Sequence, residues 1–278
     1  MRIKLAVVTC SVIAGFLALL GMGLGIGETR ESRPTANVPG SANSTVIVEL
    51  FTSEGCSSCP PADSFLKKLS EEAAIPGVEI IALEEHVDYW DHLGWKDPFS
   101  SSAFTERQND YARKFGNGGA YTPQMVIDGQ KEVVGSRSQE ARELIQKAAG
   151  QPKLAIRLTR AAGSGSDKTA FDINIAGTTA LSGGKEAELW VAVTEKNLHT
   201  DVKAGENSGE RLQHAAVVRS LRKVETFHGP NDYLAHASLK LDPSWQQTNL
   251  TFVAFAVEKT SHKIIGAAAA GISQSNGM

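Results

Sequence analysis

The sequence predicts an α/β unit followed by a β-rich, sandwich-like unit, and three observations carry that expectation. The stretch Val46 to Leu69, VIVELFTSEGCSSCPPADSFLKKL, joins an apolar run to a Gly-Cys-Ser-Ser-Cys turn and then to an amphipathic pattern, which reads as strand, dithiol, helix. Strand and helix patterns then follow one another as far as Gly150. From Lys153 onward the hydrophobic period changes to two.

Val46 to Phe51 is apolar except for Glu49, as expected of a strand covered on both faces. After the dithiol, Ala62, Phe65, Leu66, Leu69 and Ala73 recur at helical spacing, and Pro60 and Pro61 fall in the first turn, where a missing N–H costs little. Pro76-Gly77 ends that helix, and Val78 to Leu83 is a second buried strand. The segment Glu84 to Lys96, EEHVDYWDHLGWK, is dense in acids, histidines and aromatics. Ser102 to Phe115 is helical through Ala103, Phe104, Tyr111, Ala112 and Phe115, and Gly116 to Gly119 breaks it. Met125 to Ile127, the turn Asp128-Gly129 and Glu132 to Val134 form a hairpin. Ser138 caps a last helix with the apolar face Ala141, Leu144, Ile145 and Ala148, stopped by Gly150 and Pro152. The runs LAIRLTR, AFDINIAG, ELWVAVTEK, HAAVVRSL, HASLKL and LTFVAFAVEK follow, with turns such as Gly163 to Asp167 and Ser182-Gly183-Gly184 between them, the spacing of a β-sandwich. The boundary is expected near Gln151, giving units 45–150 and 151–272; Ala267 to Ala270 closes the last strand and 273–278 is a tail.

At 278 residues and 41% hydrophobic content the chain can build substantial cores, and a net charge of -3 offers no electrostatic footprint for nucleic acid. Arg2 and Lys4 precede an apolar stretch from Leu5 to Ile26, the charge-then-hydrophobe order of a secretory signal, so a periplasmic or otherwise exported protein is expected. About 20 apolar residues also span a bilayer, and no Ala-x-Ala site follows closely. Residues 1–27 therefore read either as a cleaved signal peptide or as a membrane anchor through residues 5–26, with a Ser, Gly, Pro and Asn-containing linker over 28–44. Cys10 lies near the start of this stretch, with too little hydrophobe ahead of it for lipidation.

With Cys10 set aside, Cys56 and Cys59 remain. A pair this close closes too short a loop to stabilise much, so chemistry explains it better. A helix N-terminus with free N–H groups lowers a thiol's pKa; Cys56 is placed to attack and Cys59 to resolve a mixed disulfide. The Cys56-Ser57-Ser58-Cys59 motif on a strand-to-helix junction, together with Thr122-Pro123 just before the hairpin, resembles the thioredoxin family over Ser44 to Gly150. That resemblance implies an α/β thioredoxin-like domain over this stretch, a cis-proline at Pro123 opposite the dithiol, and thiol–disulfide oxidoreductase activity; with the strand spacing beyond Lys153, the expected fold class is an α/β thioredoxin-like domain followed by an all-β sandwich-like domain. Two positions depart from the pattern. Leu50 stands where many thioredoxins carry a buried Asp, with Glu49 expected on the other face, and Gly55 replaces the Trp that often precedes the motif. LFTSEGCSSCPPAD, HVDYWDHLGWKDPF, YTPQMVIDG and GENSGERLQHAAVVRSL together are similar to a family of exported bacterial thioredoxin-like proteins classed as a domain of unknown function, which supplies no substrate.

The candidate catalytic residues are Cys56, Cys59, Thr122 and Pro123, and the candidate binding residues are Glu54, His86, Trp90, Arg211 and His214. Glu206, Asn207, Arg211 and His214 stand out only through the resemblance; Arg211 and His214 either bind an anion, pack against the first unit or are ordinary surface groups. The leading expectation is an exported oxidoreductase acting on protein thiols, with no cofactor beyond its redox-active disulfide and with the β-rich unit positioning the partner. A copper or zinc module using Cys56, Cys59 and His86 is the alternative, since thiolates plus imidazole suit Cu(I), while zinc lacks a second CxxC. A non-catalytic interaction protein whose disulfide merely closes a turn is the third; Trp90, Trp95, Phe99 and Phe104 then cap the sheet's end and the acids stay solvated or cap helices. His199, His228, His236 and His262 stand singly, which is usually structural.

Overall fold

The computed structural model describes residues 44–273 apart from Ala73, Asn117, Gly163 and Ser166. The expected signal or anchor, Cys10, nearly all of the linker and the tail beyond Ser273 lie outside the described residues. Among the described residues no helix is long and apolar enough to cross a membrane.

The first half runs β1 (Ser44–Thr52), α1 (Pro60–Glu71), β2 (Val78–His86), α2 (Ser102–Phe115), β3 (Gln124–Ile127), β4 (Lys131–Val134) and α3 (Ser138–Ala149). The second is built of strands: β5 (Ala155–Arg160), β6 (Lys168–Ala176), β7 (Glu186–Glu195), β8 (Leu198–Asp201), β9 (Arg211–His214), β10 (Val217–His228), β11 (Tyr233–Lys240), β12 (Leu250–Glu258) and β13 (Ile264–Gly271).

The expected fold class, an α/β thioredoxin-like domain and then a separate all-β sandwich-like domain, is not what the chain forms. The described chain is mainly β, and one mixed eight-stranded sheet, ordered β13-β12-β7-β10-β2-β1-β3-β4, takes strands from both halves. The joint lies between β10 and β2, which run parallel at Val217 and Glu84 while the Glu84 N–H donates to the Ala216 carbonyl at 2.9 Å. Periodicity identified most of the strands, though not β8 or a separate β9, and it carries no information on which sheet a strand enters.

One face of this sheet supports two cores. Val46, Val48 and Leu50 of β1 meet Phe65, Leu66 and Leu69 of α1 and Ile145 of α3. On the same face, Leu189, Val191 and Val193 of β7 and Phe252 and Ala254 of β12 pack against Phe171 and Ile173 of the small sheet β11-β6-β5. The opposite face carries Ile47, Ile81, Leu83, Val253 and Phe255, covered in part by Phe104 of α2. β7 and β12 are thus apolar on both faces, unlike the strands of a half-solvated sandwich.

Glu49 sits on this second face, fully buried, where Arg107 Nε donates to its Oε1 and the Tyr111 hydroxyl to its Oε2, both at 2.6 Å. The Arg107 guanidinium also stacks over Trp190 and Phe255, so a residue of α2 holds strands of both halves.

Candidate functional site

Local sequence places the two cysteines. β1 ends at Thr52, the chain turns through Cys56 N–H to Ser53 O and Cys59 N–H to Cys56 O, both 3.1 Å, and Cys59 becomes the residue before α1. Cys56 and Cys59 are joined as a disulfide with Cα atoms 5.5 Å apart. Both are buried, whereas Ser57 and Ser58 between them are exposed.

The helix start does not supply the donors expected of it. Pro60 and Pro61 occupy its first two positions and have no N–H, and the next two N–H groups, of Ala62 and Asp63, bond the Cys59 carbonyl at 2.8 and 3.1 Å. Hydroxyl groups serve the sulfur instead. Thr122 Oγ1 donates to Cys56 Sγ at 3.3 Å and itself accepts from Trp90 Nε1–H at 2.9 Å, which turns its proton toward the sulfur. Ser58 Oγ lies 3.4 Å from the same sulfur. The Thr122–Pro123 peptide is cis.

The segment between β8 and β9 closes over this turn. Asn207 is buried and its Nδ2 donates to the carbonyls of Glu54 at 2.8 Å and Cys56 at 3.0 Å, while Glu206 Oε2 accepts from Ser57 N–H at 3.1 Å. Gly205, with φ of +76°, lies so close to the Trp95 side chain that a Cβ there would stand 3.0 Å from the Trp95 Cβ.

Beneath the turn lies a buried set of acids and imidazoles. Glu54 Oε2 accepts from Trp95 Nε1–H at 2.8 Å, its Oε1 lies 3.1 Å from His214 Nε2, and its N–H donates to Asp97 Oδ2 at 2.8 Å. His214 Nδ1 is 2.8 Å from Glu84 Oε1 and His86 Nδ1 is 2.7 Å from Asp97 Oδ2. Burial alone would lower His214, but the Glu84 charge and the bonds to Glu54 and Glu84 push it up to about 9. His86 is likewise raised well above the usual imidazole range, against its burial, by Asp97 and Glu84. Glu84 is held well below the carboxylate range because the two imidazoles outweigh its burial, and Asp97 is lowered for the same kind of reason. Asp63, one turn into α1, is pushed up to about 7 by burial and by the Glu84 charge.

Of the expected site residues, Cys56, Cys59, Thr122, Trp90 and Glu54 therefore come together, and His86 and His214 lie in the acid–imidazole set. Arg211 does not join them: it is exposed, 3.9 Å from Asp201. Of the alternative metal trio Cys56, Cys59 and His86, the sulfurs are joined to each other as a disulfide, and among the described residues His86 groups with Glu84 and His214. Asp63 was not singled out from the sequence, although it lies four residues after Cys59 on a helix; Glu84, Trp95 and Asp97 lie in or beside the segment dense in acids, histidines and aromatics, but their partners here were not foreseen.

Residues 47–257 match the model of a family described as a protein of unknown function, DUF1223. No curated protein matches the chain. Among solved structures, protein AGR_C_4864 from Agrobacterium tumefaciens is similar at 26% identity over 83% of this chain and 95% of its own, with a TM-score of 0.60. HBP35 of Porphyromonas gingivalis is 15% identical over 84% of this chain and 76% of its own, with a TM-score of 0.58, a likeness of fold alone.

Proposed function

The chain belongs to the DUF1223 family, whose description names no activity, and we propose from the site's own geometry that it exchanges disulfides with other proteins through Cys56 and Cys59. The observation that carries this reading is the hydroxyl relay on one sulfur: Trp90 N–H to Thr122, and Thr122 O–H to Cys56. A disulfide that only closes a turn needs no donor aimed at a single sulfur. A donor there stabilises negative charge on Cys56, the form in which it attacks or leaves.

In the oxidising direction a substrate thiolate attacks Cys56 Sγ, the Cys56–Cys59 bond breaks, and Cys59 leaves as a thiolate that takes up a proton. A second substrate thiol then attacks the mixed disulfide, leaving an oxidised substrate and the reduced dithiol. The reverse order reduces a substrate disulfide. Because Cys56 is buried, the tip carrying Glu206 and Asn207 must lift before a substrate sulfur reaches it. The charged and then apolar start of the sequence supports an exported site of action.

Burial of both sulfurs also favours the reading of a structural disulfide, and one variant separates the two. Cys59→Ser is expected to accumulate a mixed disulfide through Cys56 with cysteine-containing proteins in an oxidising compartment. The proposal fails if no adduct forms through Cys56 and the unaltered chain neither oxidises nor reduces a model protein. A reduction potential below about -300 mV, the range of structural disulfides, would point the same way.

A further inference from the structure

The acid–imidazole set beneath the dithiol has an order that ion pairing alone does not require. Two imidazoles converge on one carboxylate oxygen, Glu84 Oε1: His214 presents Nδ1 at 2.8 Å and His86 presents Nε2 at 3.4 Å. Each ring is held from behind by another carboxylate, His86 Nδ1 by Asp97 at 2.7 Å and His214 Nε2 by Glu54 at 3.1 Å. Glu84 is anchored through its other oxygen, which accepts from Ala215 N–H at 2.6 Å. Oε1 is thereby left facing the two rings.

His86 Nε2 is buried and has no hydrogen-bond partner, its approach to Glu84 lacking hydrogen-bond geometry. A buried nitrogen without a partner is a cost that a native site normally avoids. The three facing atoms lie within 4.8 Å of one another. An imidazole whose far nitrogen is fixed by a carboxylate is the recurrent support of a metal ligand, and here both rings have it. The Phe99 ring stands nearly perpendicular to both imidazoles, with centroids 5.3 Å away in each case, and adds an apolar wall.

We propose that Glu84 Oε1, His86 Nε2 and His214 bind one divalent transition-metal ion of the zinc class, with Asp97 and Glu54 orienting the rings. Two imidazoles and one carboxylate match the donor preference of Zn2+ and leave a fourth position open. The proposed site contains no sulfur and does not depend on disulfide exchange. Because its side chains are almost wholly buried, the ion enters as the chain folds rather than by diffusing into the finished molecule.

The test uses the full chain, unfolded in denaturant with a chelator, freed of both and refolded with Zn2+ or, as a spectroscopic probe, Co2+. The expected result is one ion per chain after gel filtration, and a cobalt spectrum without the near-ultraviolet sulfur-to-metal band. The ion is expected to remain in the Cys56→Ser/Cys59→Ser double variant and to bind about 10- to 100-fold more weakly in Asp97→Asn, the usual effect of losing an orienting partner. His86→Gln should abolish binding. Failure of the refolded chain to retain either ion, a sulfur band, or loss of the ion in the double cysteine variant would each overturn the proposal. If His86→Gln does not fold, the cobalt spectrum of the unaltered chain and the Asp97→Asn affinity decide; unchanged affinity in Asp97→Asn overturns it.

Discussion

Asp63 is a buried acid close to the cysteine turn whose environment sets an unusual titration. The strand position expected to hold an acid is Leu50, part of the apolar core, yet Asp63 enters from α1. It is buried, it accepts from the Thr52 hydroxyl at 2.7 Å, and it lies one turn from Cys59, the spacing at which helix side chains share a face. Glu84 and His86 of β2 and His214 of β9 set the field around it, and it is pushed up to about 7 by burial and then by Glu84. A carboxyl raised in the folded state stabilises the fold fully below its unfolded value near 4, and loses that contribution as pH rises to about 7. Asp63→Asn lacks this titration. The unaltered chain should therefore lose stability relative to the variant by up to about 1.4 kcal/mol per pH unit between about pH 4 and 7. Urea unfolding of both proteins at several pH values, with chelator present, checks it; a flat difference would show that Asp63 titrates normally.

Among the elements, the segment between β8 and β9 is tied to the cysteine turn by hydrogen bonds to its backbone. Asn207 makes two hydrogen bonds to the cysteine turn, and each such bond is worth about 1 kcal/mol net. Asn207→Ala should speed reduction of the disulfide by a small thiol on the order of tenfold, the factor that corresponds to about 1.4 kcal/mol, with the far-ultraviolet dichroism unchanged. An unaltered rate would mean that this segment does not gate the site. The sequence showed one side of this arrangement and not the other. The strand, dithiol and first helix are contiguous, so an apolar run, a turn and helical spacing over Val46 to Leu69 sufficed to place them. Asn207 and His214 reach the same site from a hundred and fifty residues away, and a lone His or Asn between short strands carries no local sign of its partner. Glu84 was equally hidden, since an acid at the end of a buried strand looks like a boundary until the imidazoles beside it are known.

For the whole molecule, the eight-stranded sheet makes the two halves dependent on each other. Val218, Val253, Phe255 and Ile264 complete the core that Ile47, Ile81 and Phe104 begin, and Arg107 lies against Trp190. Residues 44–150 alone would expose that face and leave Glu54 and Glu84 buried without His214. Unpaired buried charges are strongly destabilising, so this fragment should lack near-ultraviolet dichroism and aggregate on gel filtration, while the full chain unfolds in one transition. A monomeric fragment with fixed tertiary signals would refute this. Such dependence was illegible in a sequence whose period changes cleanly at Lys153, because that change records local pairing and not the sheet a strand joins. The separation between the disulfide and its cover also imposes an order in time. The cysteines are three residues apart and can meet as soon as the first strand and turn have emerged, whereas Asn207 follows much later. At synthesis rates of about 5–20 residues per second, Asn207 is made on the order of ten seconds after Cys59. An oxidant that meets the chain before it folds finds Cys56 open, and one that meets the folded chain finds both sulfurs buried.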